Sequence, residues 1–180
     1  PVMGDNGRTY NIFSKELLAG MKKLSRQANL ITPNLTEACL LSNTPFEDVF
    51  FLTSKEELLE KVTQIASKLR SNAAVTQDVI ITGVKVREED DWRIYNVALT
   101  AKGISFFSSK WFNQSFSGTG DLFSSTMCGL RINGYATEEA LTIAGNFLHH
   151  SIADAMDAGT NGNDGVAFEK HLSELIKYAK

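Results

Sequence analysis

Apolar residues recur at three- and four-residue intervals along several stretches of this chain and run consecutively along others. That contrast separates amphipathic helices from buried strands. Ser14 to Arg26 carries Leu17, Leu18, Met21 and Leu24 at helical spacing, with Ser14 placed to cap the first turn. Ser54 to Ser71 repeats the pattern with Leu58, Leu59, Val62, Ile65, Ala66 and Leu69 on one face. Leu30-Ile31-Thr32 is a short strand stopped by Pro33, after which Asn34 caps a helix from Leu35 to Ser42 with Glu37 in its first turn. Asp78-Val79-Ile80-Ile81-Thr82-Gly83 is a continuous apolar run ending in glycine, the pattern of a buried parallel strand. Glu88 to Asp91 is a charged, solvated turn. Trp92–Leu99 and Gly103–Phe107 then form a β-ribbon across Thr100-Ala101-Lys102. Helices follow at Thr119–Arg131, Thr137–Met156 and Ala167–Tyr178. Strands alternating with helices predict an α/β fold with a mostly parallel central sheet.

Composition narrows the classes. The chain has 180 residues, 43% of them hydrophobic, which suits one domain with an ordinary core. A net charge of −3 gives no basic patch for nucleic acid or an anionic membrane surface. No apolar run is long enough to span a bilayer, and no targeting pattern opens the sequence, so the expected compartment is the cytoplasm. Cys39 and Cys128 both sit in apolar helical contexts and are expected to be reduced core residues.

Chemistry concentrates at Ser117-Gly118-Thr119-Gly120-Asp121-Leu122-Phe123. Small residues allow successive backbone N–H groups to line one hollow, and the helix that starts there adds its positive end. An acid beside an anion pocket costs electrostatic energy. A site that holds a phosphoryl group and also deprotonates its acceptor needs that pairing. As residues alone, Asp121 also fits a helix cap, and Asn34 with Glu37 a capping pair.

These stretches together resemble the pyridoxal kinases of the ribokinase-like superfamily. The resemblance rests on Gly-Thr-Gly-Asp-Leu-Phe (118–123), Ile-Thr-Pro-Asn-Leu-Thr-Glu-Ala (31–38), Pro-Val-Met-Gly-Asp (1–5), the strand ending in Thr82-Gly83, and Leu148-His149-His150. They occur in family order across nearly the whole chain. Asp121 favours a vitamin B6 kinase over the related hydroxymethylpyrimidine phosphate kinases, which usually carry Cys there. Residues 1–180 are expected to be the C-terminal portion of a single ribokinase-like three-layer kinase domain. The resemblance implies that the family's N-terminal segment, with much of the B6 pocket, is expected to lie outside these 180 residues.

The resemblance implies an ATP-dependent kinase acting on the 5′-hydroxymethyl group of a B6 vitamer. It implies Mg²⁺, room for a monovalent cation such as K⁺, and a homodimer. Asp121 would be the general base, and Gly118, Thr119 and Gly120 the anion hole. Asn34 and Glu37 would place Mg²⁺ and the phosphates through water, with Asp5 a second acid near the metal. Thr82, Gly83 and Thr32 would lie near the phosphates. Phe112 and Phe116 would line the adenine cleft, although aromatics at that spacing also serve as core. His149 and His150, adjacent on a helix, face different ways and are given no chemical role. The alternatives are a hydroxymethylpyrimidine kinase and a catalytically weak vitamer-binding protein.

Overall fold

In the computed structural model residues 3–179 are described; Pro1 and Val2, which open the Pro-Val-Met-Gly-Asp motif, lie outside them. By internal packing the chain divides into two units: Pro1–Asp90 with Tyr95–Phe106, and Asp91–Ile94 with Phe107–Lys180.

The first unit opens with a hairpin of β1 (Gly4–Asp5) and β2 (Arg8–Thr9). Asn6 and Gly7 turn it at positive φ, 48° and 77°, a geometry that Asn-Gly adopts readily. Helix α1 (Lys15–Ser25) is capped by Ser14, whose hydroxyl accepts from the Leu17 amide at 3.1 Å. Its apolar stripe forms but is only partly covered: Leu18 and Met21 are half-buried, whereas Leu17 is 47% and Leu24 63% exposed. Strand β3 (Leu30–Ile31) leads into α2 (Leu35–Ser42), then the short α3 (Glu47–Phe50), then α4 (Lys55–Ser71). Strand β4 (Asp78–Glu88) pairs parallel with β3. Helices α2 and α4 pack on β4, and the core gathers Ala38, Cys39, Val62, Ile65 and Ala66 against Val79, Ile81, Val84 and Val86. Burying each of the larger aliphatic side chains stabilises the unit by about 1.5–3 kcal/mol.

The expected end of β4 at Gly83 is corrected: the strand runs on to Glu88. Val79 to Ile81 are buried consecutively, and after Gly83 burial alternates, with Val84 and Val86 in and Lys85 and Arg87 out. Gly83 makes that change at φ 71°, and its amide donates to Asn96 Oδ1 at 3.1 Å. Glu88 likewise leaves the expected solvated turn, joining β4 and accepting from Lys55 and the Tyr95 hydroxyl.

The sheet order is β3-β4-β5-β6, with β5 Asp91–Thr100 and β6 Gly103–Lys110. The expectation of a mostly parallel sheet is corrected here. Glu89-Asp90 and Ala101-Lys102 are two-residue connections, and such connections join antiparallel neighbours. The sheet is therefore mostly antiparallel, with β3 and β4 as its parallel pair.

In the second unit α5 (Thr119–Ile132) packs against α6 (Thr137–Asp157), Phe123, Met127 and Leu130 on one side and Ala140, Leu141, Ala144 and Phe147 on the other. Gly145 on α6 leaves room for a ring: a Cβ there would stand 2.4 Å from Phe107. The expected final helix is interrupted. A 3₁₀ turn, Phe168–His171, precedes α7 (Leu172–Ile176), and the break falls at His171, whose ring is held by two carboxylates. Cys39 is buried as expected, whereas Cys128 is exposed because it lies on the outer side of α5. Among the described residues no helix is long and apolar enough to cross a membrane.

Candidate active site

The glycine turn lies in the second unit. Gly118 is the N-cap of α5 at φ 80°, a conformation that glycine adopts without strain, and no side chain caps the helix. The Leu122 amide bonds back to the Gly118 carbonyl at 2.9 Å. The amides ahead of it sit at the positive end of the helix. A Cβ on Gly118 or Gly120 would meet nothing within 4 Å. Packing inside the protein therefore does not require these glycines, and they leave the backbone open to close approach. Asp121 is exposed in the same first turn. The Thr119 hydroxyl donates to the Phe116 carbonyl at 2.9 Å, which folds the turn back on its own lead-in.

That lead-in is propped from a segment for which the sequence had suggested no role. The Ser117 amide donates to the Gly162 carbonyl at 2.8 Å, and Gln114 Nε2 donates to the Thr160 carbonyl at 3.0 Å. A Cβ on Gly162 would stand 2.4 Å from the Ser115 carbonyl oxygen. Three glycines in Gly159-Thr160-Asn161-Gly162-Asn163-Asp164-Gly165 were the available signal. Phe116 is buried in this unit, and Phe112 stacks on His149, ring centres 5.5 Å apart.

The remaining candidates lie in the first unit. Asn34 and Glu37 form a reciprocal cap on α2. The Glu37 carboxylate also accepts from the Met3 amide at 3.2 Å, and Asn34 Nδ2 donates to the Gly4 carbonyl at 2.9 Å. The pair thus joins α2 to β1 and brings Asp5 close to it. Thr82 is bridged to Asn34 along the backbone, its amide donating to the Pro33 carbonyl at 2.9 Å. Asn34, Glu37, Thr82 and Gly83 therefore gather beyond the end of β3, with Thr32 just before Pro33.

Charge accumulates there. Burial pushes the Glu37 carboxyl above its usual range; amide donors from Asn34 and Met3 oppose this and the Asp5 charge adds to it. The Tyr10 hydroxyl is also pushed up, by burial and then by Asp5 and Glu37. Asp5 itself is exposed, and its carboxylate accepts from the Asn6 amide at 2.8 Å and from Asn6 Nδ2 at 3.0 Å. Hard oxygen donors with a local excess of negative charge, one of them open to water, fit a hydrated Mg²⁺.

The model of the phosphomethylpyrimidine kinase family matches residues 1–166. A Caenorhabditis elegans protein provisionally named a pyridoxal kinase is 32% identical over 128 residues, 71% of this chain and 36% of its own length. A Bacteroides thetaiotaomicron protein, provisionally named a phosphomethylpyrimidine kinase and crystallised with pyridoxal, is 29% identical with TM-score 0.83. The match covers 97% of this chain and 58% of that one. The Leishmania donovani pyridoxal kinase, solved with ADP and pyridoxine, shares the fold at 19% identity and TM-score 0.74, over 97% of this chain and 56% of that one. The chain spans less than two thirds of the length of each of these proteins. With the family model matched through residue 166, this chain belongs to the phosphomethylpyrimidine kinase family of ribokinase-like proteins.

Proposed function

We propose that this chain is the C-terminal portion of an ATP-dependent kinase that phosphorylates the 5′-hydroxymethyl group of pyridoxal, pyridoxine or pyridoxamine. The observation that carries the reading is the α5 N-terminus: an uncapped glycine turn with Asp121 exposed in the same turn. A helix that only needed an end would be better closed by a Ser, Asn or Asp cap.

In this reading the acceptor hydroxyl loses its proton to the Asp121 carboxylate as its oxygen attacks the γ-phosphorus of ATP and ADP leaves. A carboxylate suffices, because phosphoryl transfer is loose and the proton is taken late. The amides of Thr119, Gly120 and Asp121 neutralise charge growing on the transferred group. A donor so placed contributes about 3–4 kcal/mol to lowering a barrier. Asn34, Glu37 and Asp5 would hold a hydrated Mg²⁺, which would screen the phosphate oxygens. Thr82, Gly83 and Thr32 line the phosphate side, and Phe112 and Phe116 the adenine side. A homodimer is part of the same proposal.

The family description favours one second reading, a hydroxymethylpyrimidine kinase using the same residues. The deciding experiment measures ATP- and Mg²⁺-dependent pyridoxal phosphate formation by the full-length protein, with hydroxymethylpyrimidine in parallel. Turnover of pyridoxal supports the proposal. Turnover of the pyrimidine alone replaces the substrate. Vitamer binding without turnover of either identifies a binding protein.

A further inference from the structure

We propose that His150, His171 and Glu174 form a binding site for a zinc-class divalent metal ion that ties the C-terminal turn to α6. His150 Nδ1 lies 2.9 Å from Glu174 Oε2 and His171 Nδ1 lies 2.8 Å from Glu174 Oε1. The three ligand atoms all fall within 4.8 Å of one another. Metal bonds of about 2.0–2.2 Å in a tetrahedral site separate neighbouring ligand atoms by about 3.3–3.6 Å, so a small spreading admits the ion. Two imidazoles and one carboxylate select zinc-class ions over Mg²⁺, and three protein ligands leave a fourth position for water. Side-chain exposures of 49%, 16% and 35% for His150, His171 and Glu174 leave the cluster open to solution.

A further group prepares the site. Asp154 Oδ2 lies 3.2 Å from His171 Nε2. A carboxylate on the far nitrogen holds the proton there and leaves Nδ1 free to bind a metal. Binding would release to solvent any proton carried on either Nδ1. His150 belongs to the stretch 1–166 that the family model matches, whereas His171 and Glu174 follow it.

The test is calorimetric titration of the metal-free full-length protein with zinc(II), with magnesium(II) as control, and circular dichroism to confirm folding. One zinc per chain is expected at this cluster, with no magnesium bound there. Asp154→Asn should weaken zinc binding by about 10–100-fold. His150→Ala, His171→Ala and Glu174→Gln should each weaken it at least as much, while the exposed Glu169→Gln leaves it unchanged. His150, the most exposed ligand, provides a variant that keeps its fold if His171→Ala does not. Failure of the wild type to bind zinc one-to-one, or unchanged affinity in folded His150→Ala and Glu174→Gln, would overturn the proposal.

Discussion

Asn34 and Glu37 each close the other's end of one helical turn: Asn34 Oδ1 accepts from the Glu37 amide at 2.9 Å, and Glu37 Oε2 from the Asn34 amide at 3.0 Å. The same pair carries the proposed phosphate and metal role, so its structural and chemical duties can be measured apart. Asn34→Ala should cost about 1–2 kcal/mol of stability, read by denaturant unfolding, since it removes a cap and the bond to Gly4. An unchanged midpoint would mean that water replaces the side chain at no cost.

Burial raises the Glu37 carboxyl above its ordinary value. A carboxyl with a higher pKa folded than unfolded binds its proton more tightly in the native state. Its contribution is fully present below the unfolded pKa and is lost as pH rises through the folded one. Glu37→Gln cannot ionise. The melting temperature of the variant minus that of the wild type should therefore increase as pH climbs through and above the usual carboxylate range. A flat difference would show that the amide donors offset burial completely.

Asp121 is exposed in the first turn of α5, so Asp121→Asn should fold and lose no more than the about 0.3–1 kcal/mol that a carboxylate gains from the helix dipole. Its turnover should fall by about 10²–10⁴-fold, the usual contribution of a positioned general base. Near-normal turnover would remove Asp121 from the chemistry.

Gly120 separates stability from function in the opposite sense. Its Cβ position is open space within a helix, so Gly120→Ala should leave stability level or raise it by up to about 1 kcal/mol. Gly120→Val should fold yet lose activity, because its branches cover the amides that a phosphoryl group would approach. Full activity in Gly120→Val would remove the anion-hole role.

The Cys39 thiol is pushed up to about 11, chiefly by burial and then by the Asp48 charge, whereas Cys128 is exposed. One thiol should react with a disulfide reagent in the native protein and two after denaturation. Two fast thiols in the native state would mean that α2 opens readily.

Much of this was legible in the sequence because the signals were local. Ser14 announced its helix, the apolar face from Leu58 to Leu69 announced another, Asn34 and Glu37 sat at capping-box spacing, and the run Val79 to Ile81 could only be buried. Sheet direction was harder to read. The apolar run suggested parallel neighbours, yet two tight turns make β5 and β6 antiparallel. Gly83 looked like a stop and is a pivot, because a side chain thirteen residues away, Asn96, holds its amide. The glycine turn was visible as a motif. Its support from residues 160–165, and the meeting of His150 with His171 and Glu174, depend on tertiary contacts that no local pattern encodes.

The support under the glycine turn has a thermodynamic consequence. The Ser117 amide and the Gly162 carbonyl couple the 159–165 loop to the backbone that opens α5. Coupling free energies are reciprocal. Whatever a well-ordered loop adds to the affinity of the 118–121 amides for an anion, a bound anion must return as extra order in the loop. Loop amides that are slower to exchange their hydrogens when phosphate is present would register occupancy of the turn from a distance, without any probe placed in it.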